Sequence, residues 1–260
     1  MKKLIKIEIF KIMKKPTFII LGLTLFLPLI LTIFFINVPE SYKITYDWGN
    51  GKIPLFSFPT LALGFFQTFG IFPIIFSFLA ISLAQEIETG YIDIYQIRVK
   101  KRTKIITSKI IALIIILTGW GILYFLMGLL SYMFFYKFPS IISSLTLFDN
   151  GTWYYLIMFI IFILNIFFSM MLTFLLGIKF KSLQCIIGNV FYLFLSMLFI
   201  NIPLIKYILP EYWINQMMSF TQKDVINIFI VNFIFFILFL IMYIIFLFKK
   251  IYVFYCTKDL

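Results

Sequence analysis

The chain contains no histidine, and its two cysteines, Cys185 and Cys256, stand too far apart to form a ligand pair. These shortages exclude an H-E-x-x-H zinc hydrolase, a histidine-ligated haem and any histidine-based triad. No G-x-x-x-x-G-K-[ST] occurs, so the chain has no P-loop of its own for a nucleotide. Charge is also scarce: only 12% of the 260 residues are charged and only ten are acidic. What fills the space is apolar, with 63% hydrophobic residues and 36 phenylalanines. Mean hydropathy is +1.09. Soluble domains are about 45–50% apolar and ~25% charged. A chain this apolar cannot cover its own surface in water. A soluble enzyme, a disordered protein and a nucleic-acid-binding domain are excluded, which leaves a polytopic membrane protein.

Crossing a hydrocarbon core takes ~20 consecutive apolar residues. Six runs meet that length, at about residues 17–36, 61–84, 110–135, 153–178, 183–202 and 225–248. The expected fold is therefore an all-α integral membrane domain of six spans covering residues 1–260. The first run exceeds the apolar region of a cleaved leader, and no small-residue cleavage site follows it, so it is expected to remain as a span. Pro28 and Pro73 are expected to kink the first two spans. Lysine and arginine in the connections set the orientation. With both termini inside, 17 of the 22 basic residues fall on the inner side, and the ten acids divide five and five. The whole net charge of +12 then sits inside, so the basic balance is a topology signal and implies no nucleic-acid partner.

No charged residue lies mid-span in these runs. Ion-coupled carriers and proton relays generally need one. The polar residues inside the runs include Thr24, Thr32, Gln67, Thr68, Ser77, Ser82 and Thr118. Ser131, Asn165, Ser169, Thr173, Asn189 and Ser196 complete them. They are expected to bond helix to helix; a polar track for substrate is the alternative.

Residues 1–15 read as a short basic helix. Ile5, Ile9, Ile12 and Met13 form one stripe, and Lys3, Lys6, Lys11, Lys14 and Lys15 fall elsewhere. This suits a helix lying in the membrane interface with its lysines at anionic head groups. Pro16 ends it. Gly177 and the four residues Lys179-Phe180-Lys181-Ser182 form a tight inner turn. The outer connection at 203–224 is too apolar for a solvated loop; Tyr207, Tyr212 and Trp213 suit the membrane boundary, and short helices dipping into the outer leaflet are expected.

The inner segment 85–109 carries the most information. It runs from acids (Glu86, Glu88) through Gly90 and an apolar-aromatic stretch to a basic block. Tyr91, Ile94, Tyr95 and Arg98 share one helical face, with Ile97 beside it, which makes a docking knob for a soluble partner. The alternation over 91–97 also admits a strand, and the knob also admits packing on the chain's own inner ends. If a helix follows, Glu86 and Glu88 favour its N-terminus, and Gly90 allows a turn with positive φ. Arg102 is expected to close the segment by pairing with Glu86 or Glu88.

At this segment the chain resembles the permease subunits of ABC type-2 exporters. Members carry E-x-E-x-G, an apolar helix, P-x-x-R, and a lysine seven residues after the arginine. Glu86, Glu88 and Gly90 match the first part; Arg102 and Lys109 match the last. The family's proline falls on Val99. Leu209-Pro210-Glu211-Tyr212-Trp213-Ile214-Asn215 is similar to the family's external motif before the last span. The small size resembles permeases for bacteriocin immunity, lantibiotic export and cytolytic-peptide export. The resemblance implies a multi-pass protein of a bacterial cytoplasmic membrane. It would pair with a second permease, as homodimer or heterodimer, and with two copies of a separate ATPase. ATP and Mg²⁺ would sit on that ATPase, and this chain would hold no cofactor and no catalytic residue. Its substrate would be an amphipathic peptide, with a lipid, polymer or small drug as the alternative. Three rivals remain: an ion-coupled carrier or channel, a membrane enzyme, and a non-transporting partner of a sensor kinase.

Overall fold

The computed structural model describes residues 1–37, 55–66, 71–90, 102–135, 152–177, 179–199 and 201–203, with single positions 206, 209, 212, 237, 241–243, 245, 246 and 249. Among the described residues no strand occurs. The helices are α1 (Lys2–Met13), α2 (Pro16–Leu23), α3 (Leu27–Asn37), α4 (Phe58–Phe66), α5 (Phe72–Glu88), α6 (Arg102–Phe135), α7 (Thr152–Gly177) and α8 (Ser182–Phe199). Four stretches are long and apolar enough to cross a membrane: Pro16–Ile33, Lys104–Phe134, Tyr155–Gly177 and Ser182–Phe199.

These four overlie the first, third, fourth and fifth expected spans. The first is jointed. Residues Thr24–Phe26 form a 3₁₀ turn between α2 and α3, where the Leu27 N–H donates to the Thr24 carbonyl. Pro28 has no N–H to offer that carbonyl, so the ladder tightens one residue earlier. The expected second span, 61–84, is described as two helices, α4 starting at Phe58 and α5 starting at Phe72. Gln67 and Thr68 lie outside the described residues. Pro73 stands in the first turn of α5, where a missing N–H costs nothing. Most of the expected sixth span, 225–248, also lies outside them, though positions 237, 241–243, 245 and 246 are helical.

The third span begins two turns earlier than its hydropathy suggests. Residues Arg102–Lys109 continue α6 without a break, since no glycine or proline interrupts them. Ile105, Ile106 and Lys109 are buried there. The inner segment is therefore bracketed by helix on both sides, α5 through Glu88 and α6 from Arg102.

Helix α5 is the hub. It packs on α7, α8 and α2, while α6 carries α1, α3 and α4. Ile75, Phe76, Leu79, Leu83 and Ala84 of α5 are buried. Small residues let the backbones close up. A Cβ added at Gly177 would lie 2.9 Å from the Ala84 Cβ, and one at Gly128 would lie 2.8 Å from the Pro59 Cα. In a bilayer such close packing, rather than hydrophobic exclusion, holds helices together. Outward residues such as Ile19, Ile122 and Leu198 are exposed and apolar, as a lipid-facing rim requires.

The intramembrane polar residues mostly bond backwards within their own helices. Thr32 donates to the Pro28 carbonyl, Ser77 to Pro73, Ser131 to Met127 and Thr173 to Ser169. Other bonds among the described residues cross between helices: Thr60 Oγ1 to the Tyr155 carbonyl at 2.8 Å, Asn189 Nδ2 to Thr173 Oγ1 at 2.8 Å, and Trp120 Nε1 to Thr24 Oγ1 at 3.0 Å. The bond from Trp120 braces the 3₁₀ joint of the first span against α6.

Candidate functional site

The site forms where α5 ends. Thr89 caps the helix with its N–H on the Gln85 carbonyl at 2.9 Å, and the Gly90 N–H reaches Ile87 at 3.1 Å. Gly90 has φ 67°. This left-handed residue turns the chain out of the helix axis, a conformation a side chain would strain.

Glu86 and Glu88 are two positions apart, so at 3.6 residues per turn they leave α5 on opposite sides. Glu86 reaches towards α6 and the corner between α1 and α2. Its Oε1 accepts from Lys15 Nζ at 2.8 Å, and its Oε2 accepts from Lys109 Nζ. Lys15 Nζ also donates to the Ile81 carbonyl at 3.1 Å. Lys109 Nζ lies 3.8 Å from Glu8 Oε2 of α1, whose other oxygen binds Lys11 at 3.2 Å. Three lysines and two glutamates from α1, α5, α6 and the corner between α1 and α2 thus meet at one end of the helices. The side chains of Lys109 and Glu8 are only 2% and 5% exposed. An isolated charge so placed would cost several kcal/mol, so each depends on the other's presence.

Glu88 points the other way. Its Oε2 accepts the backbone N–H of Ser182 at 3.0 Å, the first residue of α8. Gln184 Oε1 accepts the Lys181 N–H at 3.1 Å, half of a capping box. Helix α8 therefore receives part of its N-terminal cap from another helix. A carboxylate there also meets the positive end of the helix dipole. The Ser182 hydrogen bonds hold the Glu88 carboxyl below the ordinary glutamate range. Burial lowers the Lys15 ammonium to about 8, with Lys11 adding to the effect and Glu8 opposing it.

The structure brings Glu86 and Lys109 together; the side chain of Arg102, and with it the expected pairing to Glu86 or Glu88, lies outside the described residues. Lys109 and Lys15 take Glu86, and the α8 N-terminus takes Glu88. Both acids close α5, and the helix N-terminus that Glu88 serves is that of α8. Arg102 opens α6. Tyr91, Ile94, Tyr95, Ile97 and Arg98 lie outside the described residues, as do Pro210, Trp213 and Asn215. Tyr212 is described: its N–H donates to the Leu209 carbonyl at 3.2 Å, and Lys206 Nζ lies 5.2 Å above its ring. Sequence reasoning missed Glu8, Lys15 and Ser182. Glu8 did leave a signal, as the one acid among the first 37 residues.

The face of α1 also differs from expectation. Ile5, Ile9 and Ile12 pack against the protein core, with Glu8 among them, and Met13 is exposed. That stripe is not free for lipid.

Comparison with protein-family models, curated proteins and solved structures gives no match. Among the described residues the regular structure is all helical, and four helical stretches are long and apolar enough to cross a membrane.

Proposed function

We propose that the chain is the permease subunit of an ABC exporter, moving an amphipathic peptide outward under power from a separate ATPase. The observation that supports this best is the divergence of Glu86 and Glu88 just before Gly90. One acid is tied to α6 and to the corner between α1 and α2, the other to α8. A push delivered to the segment beyond Gly90 would enter both groups of helices at once. That is what a segment transmitting ATPase movement must do. Two ATPase copies, carrying ATP and Mg²⁺, would bind two such permeases on the inner side. Residues Tyr91, Ile94, Tyr95, Ile97 and Arg98 would form the contact, and a single buried aromatic anchor of this kind contributes about 2 kcal/mol or more. The described spans carry hydroxyls and amides rather than charges at their centres, which suits an amphipathic peptide better than an ion.

The test is purification of the tagged chain from its native membrane in mild detergent. An ATP-hydrolysing subunit should come with it. Tyr91→Ala with Ile94→Ala should leave the chain inserted and lose that subunit. Full ATPase retention by the double variant would overturn the coupling assignment.

One observation favours a second reading, an ion-coupled carrier. Lys109 is buried within the candidate span Lys104–Phe134 beside two glutamates. Buried intramembrane charge is the mark of such carriers. Proteoliposomes holding the chain alone, under an imposed pH gradient, decide it: proton-driven uptake without an ATPase would establish the carrier.

A further inference from the structure

The outward side of α1 is unused by everything described above. At 3.6 residues per turn, Lys3, Lys6, Ile7, Phe10, Met13 and Lys14 share an arc of about 120°. It is centred opposite the buried pair Glu8 and Ile12. Ile7, Phe10 and Met13 are 42%, 59% and 51% exposed, and the three lysines are exposed as well. Lys14 Nζ sits 4.5 Å above the Phe10 ring. Glu8, the helix's one acid, is turned inward to Lys109. The outward surface is therefore apolar and cationic, with no carboxylate on it.

The chain path fixes what this surface meets. Only Lys14 and Lys15 separate α1 from α2, where the candidate span Pro16–Ile33 begins. Lys15 is extended, with φ −74° and ψ 139°, and forms a sharp corner. The end of α1 carrying Phe10, Met13 and Lys14 is thereby held beside the point where the chain enters the bilayer. A soluble acidic protein would have to fit under that corner. The bilayer that the candidate span Pro16–Ile33 would enter lies next to it.

We propose that Lys3, Lys6 and Lys14 bind the headgroups of anionic phospholipids, while Ile7, Phe10 and Met13 enter the boundary between headgroups and acyl chains. Apolar and cationic residues on one interfacial face are what such binding uses. The lysine stems lie along apolar surface while their ammonium groups reach phosphate. This face differs from the one that the isoleucine stripe marks. The protein consumes Ile5, Ile9 and Ile12 in its own packing, and the opposite side is left for lipid. The proposal needs the chain to cross a membrane but does not depend on export or on an ATPase.

Two measurements on the full chain in nanodiscs test it. The first is affinity for phosphatidylglycerol against a phosphatidylcholine background. Replacing Lys3, Lys6 and Lys14 with Gln should weaken it by about fivefold per lysine. All three side chains are exposed, so folding is spared. The second places a spin label at residue 10, with Cys256 replaced by serine and the buried Cys185 left in place. Collisions with oxygen should exceed those with a water-soluble nickel chelate. An unchanged affinity in the triple variant overturns the proposal. So does a label open to nickel, which means water, or closed to both reagents, which means a protein partner on this face.

Discussion

Lys109 of α6 forms a buried ion pair with Glu86 at the end of α5 and lies 3.8 Å from Glu8 of α1. One ammonium thereby joins the N-terminal helix to the last turn before the Gly90 turn. Burying a charge is tolerable only while partners neutralise it, and removing one partner of a buried pair costs about 3–5 kcal/mol.

Lys109→Met should therefore be among the most damaging single changes at this end of the protein, because it removes the buried ammonium that Glu86 and Glu8 share and leaves Glu86 with Lys15 and Glu8 with Lys11. Adding Glu8→Gln should restore part of the loss, since the buried Glu8 oxygen that faced Lys109 then carries no charge. Thermal unfolding in detergent measures both. Equal melting temperatures for the single and double variants would show that the two charges act independently.

Lys15 gives a pH dependence with a definite sign. Its ammonium is lowered from 10.5 to about 8, chiefly by burial. Below about pH 8 the lysine is protonated in folded and unfolded chains alike, and its contribution is constant. Between about 8 and 10.5 the unfolded chain binds more protons, so stability rises with pH across that window. Competitive acetylation followed by mass spectrometry reads the titration directly. The midpoint at Lys15 should fall near pH 8. Lys11→Ala should raise it by removing a like charge, and Glu8→Gln should lower it. A midpoint near that of an ordinary lysine would contradict the packing around the corner between α1 and α2.

Glu88 tests the link between the acidic turn and α8. Its carboxylate accepts the Ser182 N–H, and its proton affinity is lowered by that bond. The stabilisation is present above the ordinary glutamate range and is lost as pH falls through the depressed value. Glu88→Ala should speed hydrogen exchange at the first amides of α8, most clearly at Ser182, while exchange within α7 stays unchanged. Glu88→Gln retains an acceptor and should lie between. Unchanged exchange at Ser182 in Glu88→Ala would mean that α8 caps itself through Gln184.

Hydropathy made four of the candidate spans legible, because each is long and apolar enough to cross a membrane. Helix ends were harder. The start of α6 at Arg102 is hidden by a basic block that reads as a flank, yet nothing in it stops a helix. Gly90 was legible because only a left-handed turn gives a lone glycine there a purpose. The pairing of Glu86 with Lys15 was not, since those residues come from parts of the chain 71 positions apart. The same holds for Glu88 and Ser182, which meet only through α5 packing on α8. Residues 1–15 misled for a related reason. A helix with two usable faces looks like one with a single face until the structure shows which one the protein buries.

Gly177 sets how closely α7 approaches α5. Its missing Cβ would stand 2.9 Å from the Ala84 Cβ and 3.1 Å from the Ala84 Cα. The obstruction is backbone and the first side-chain atom, which cannot swing aside as a long side chain can. Gly177→Ala should push the two helices apart at their shared end, at a cost of about 1–3 kcal/mol for an overpacked contact. Glu86 and Glu88 leave α5 within one turn of Ala84, so the separation should also disturb the ion pairs. Two readings separate this from general loss of fold. Melting temperature should drop in Gly177→Ala and fall further in Gly177→Leu. Ser182 exchange should rise in both, because Glu88 can no longer reach the α8 N-terminus at 3.0 Å. If Gly177→Leu inserts and melts as the parent does, the close approach of α5 and α7 is not what holds this end together.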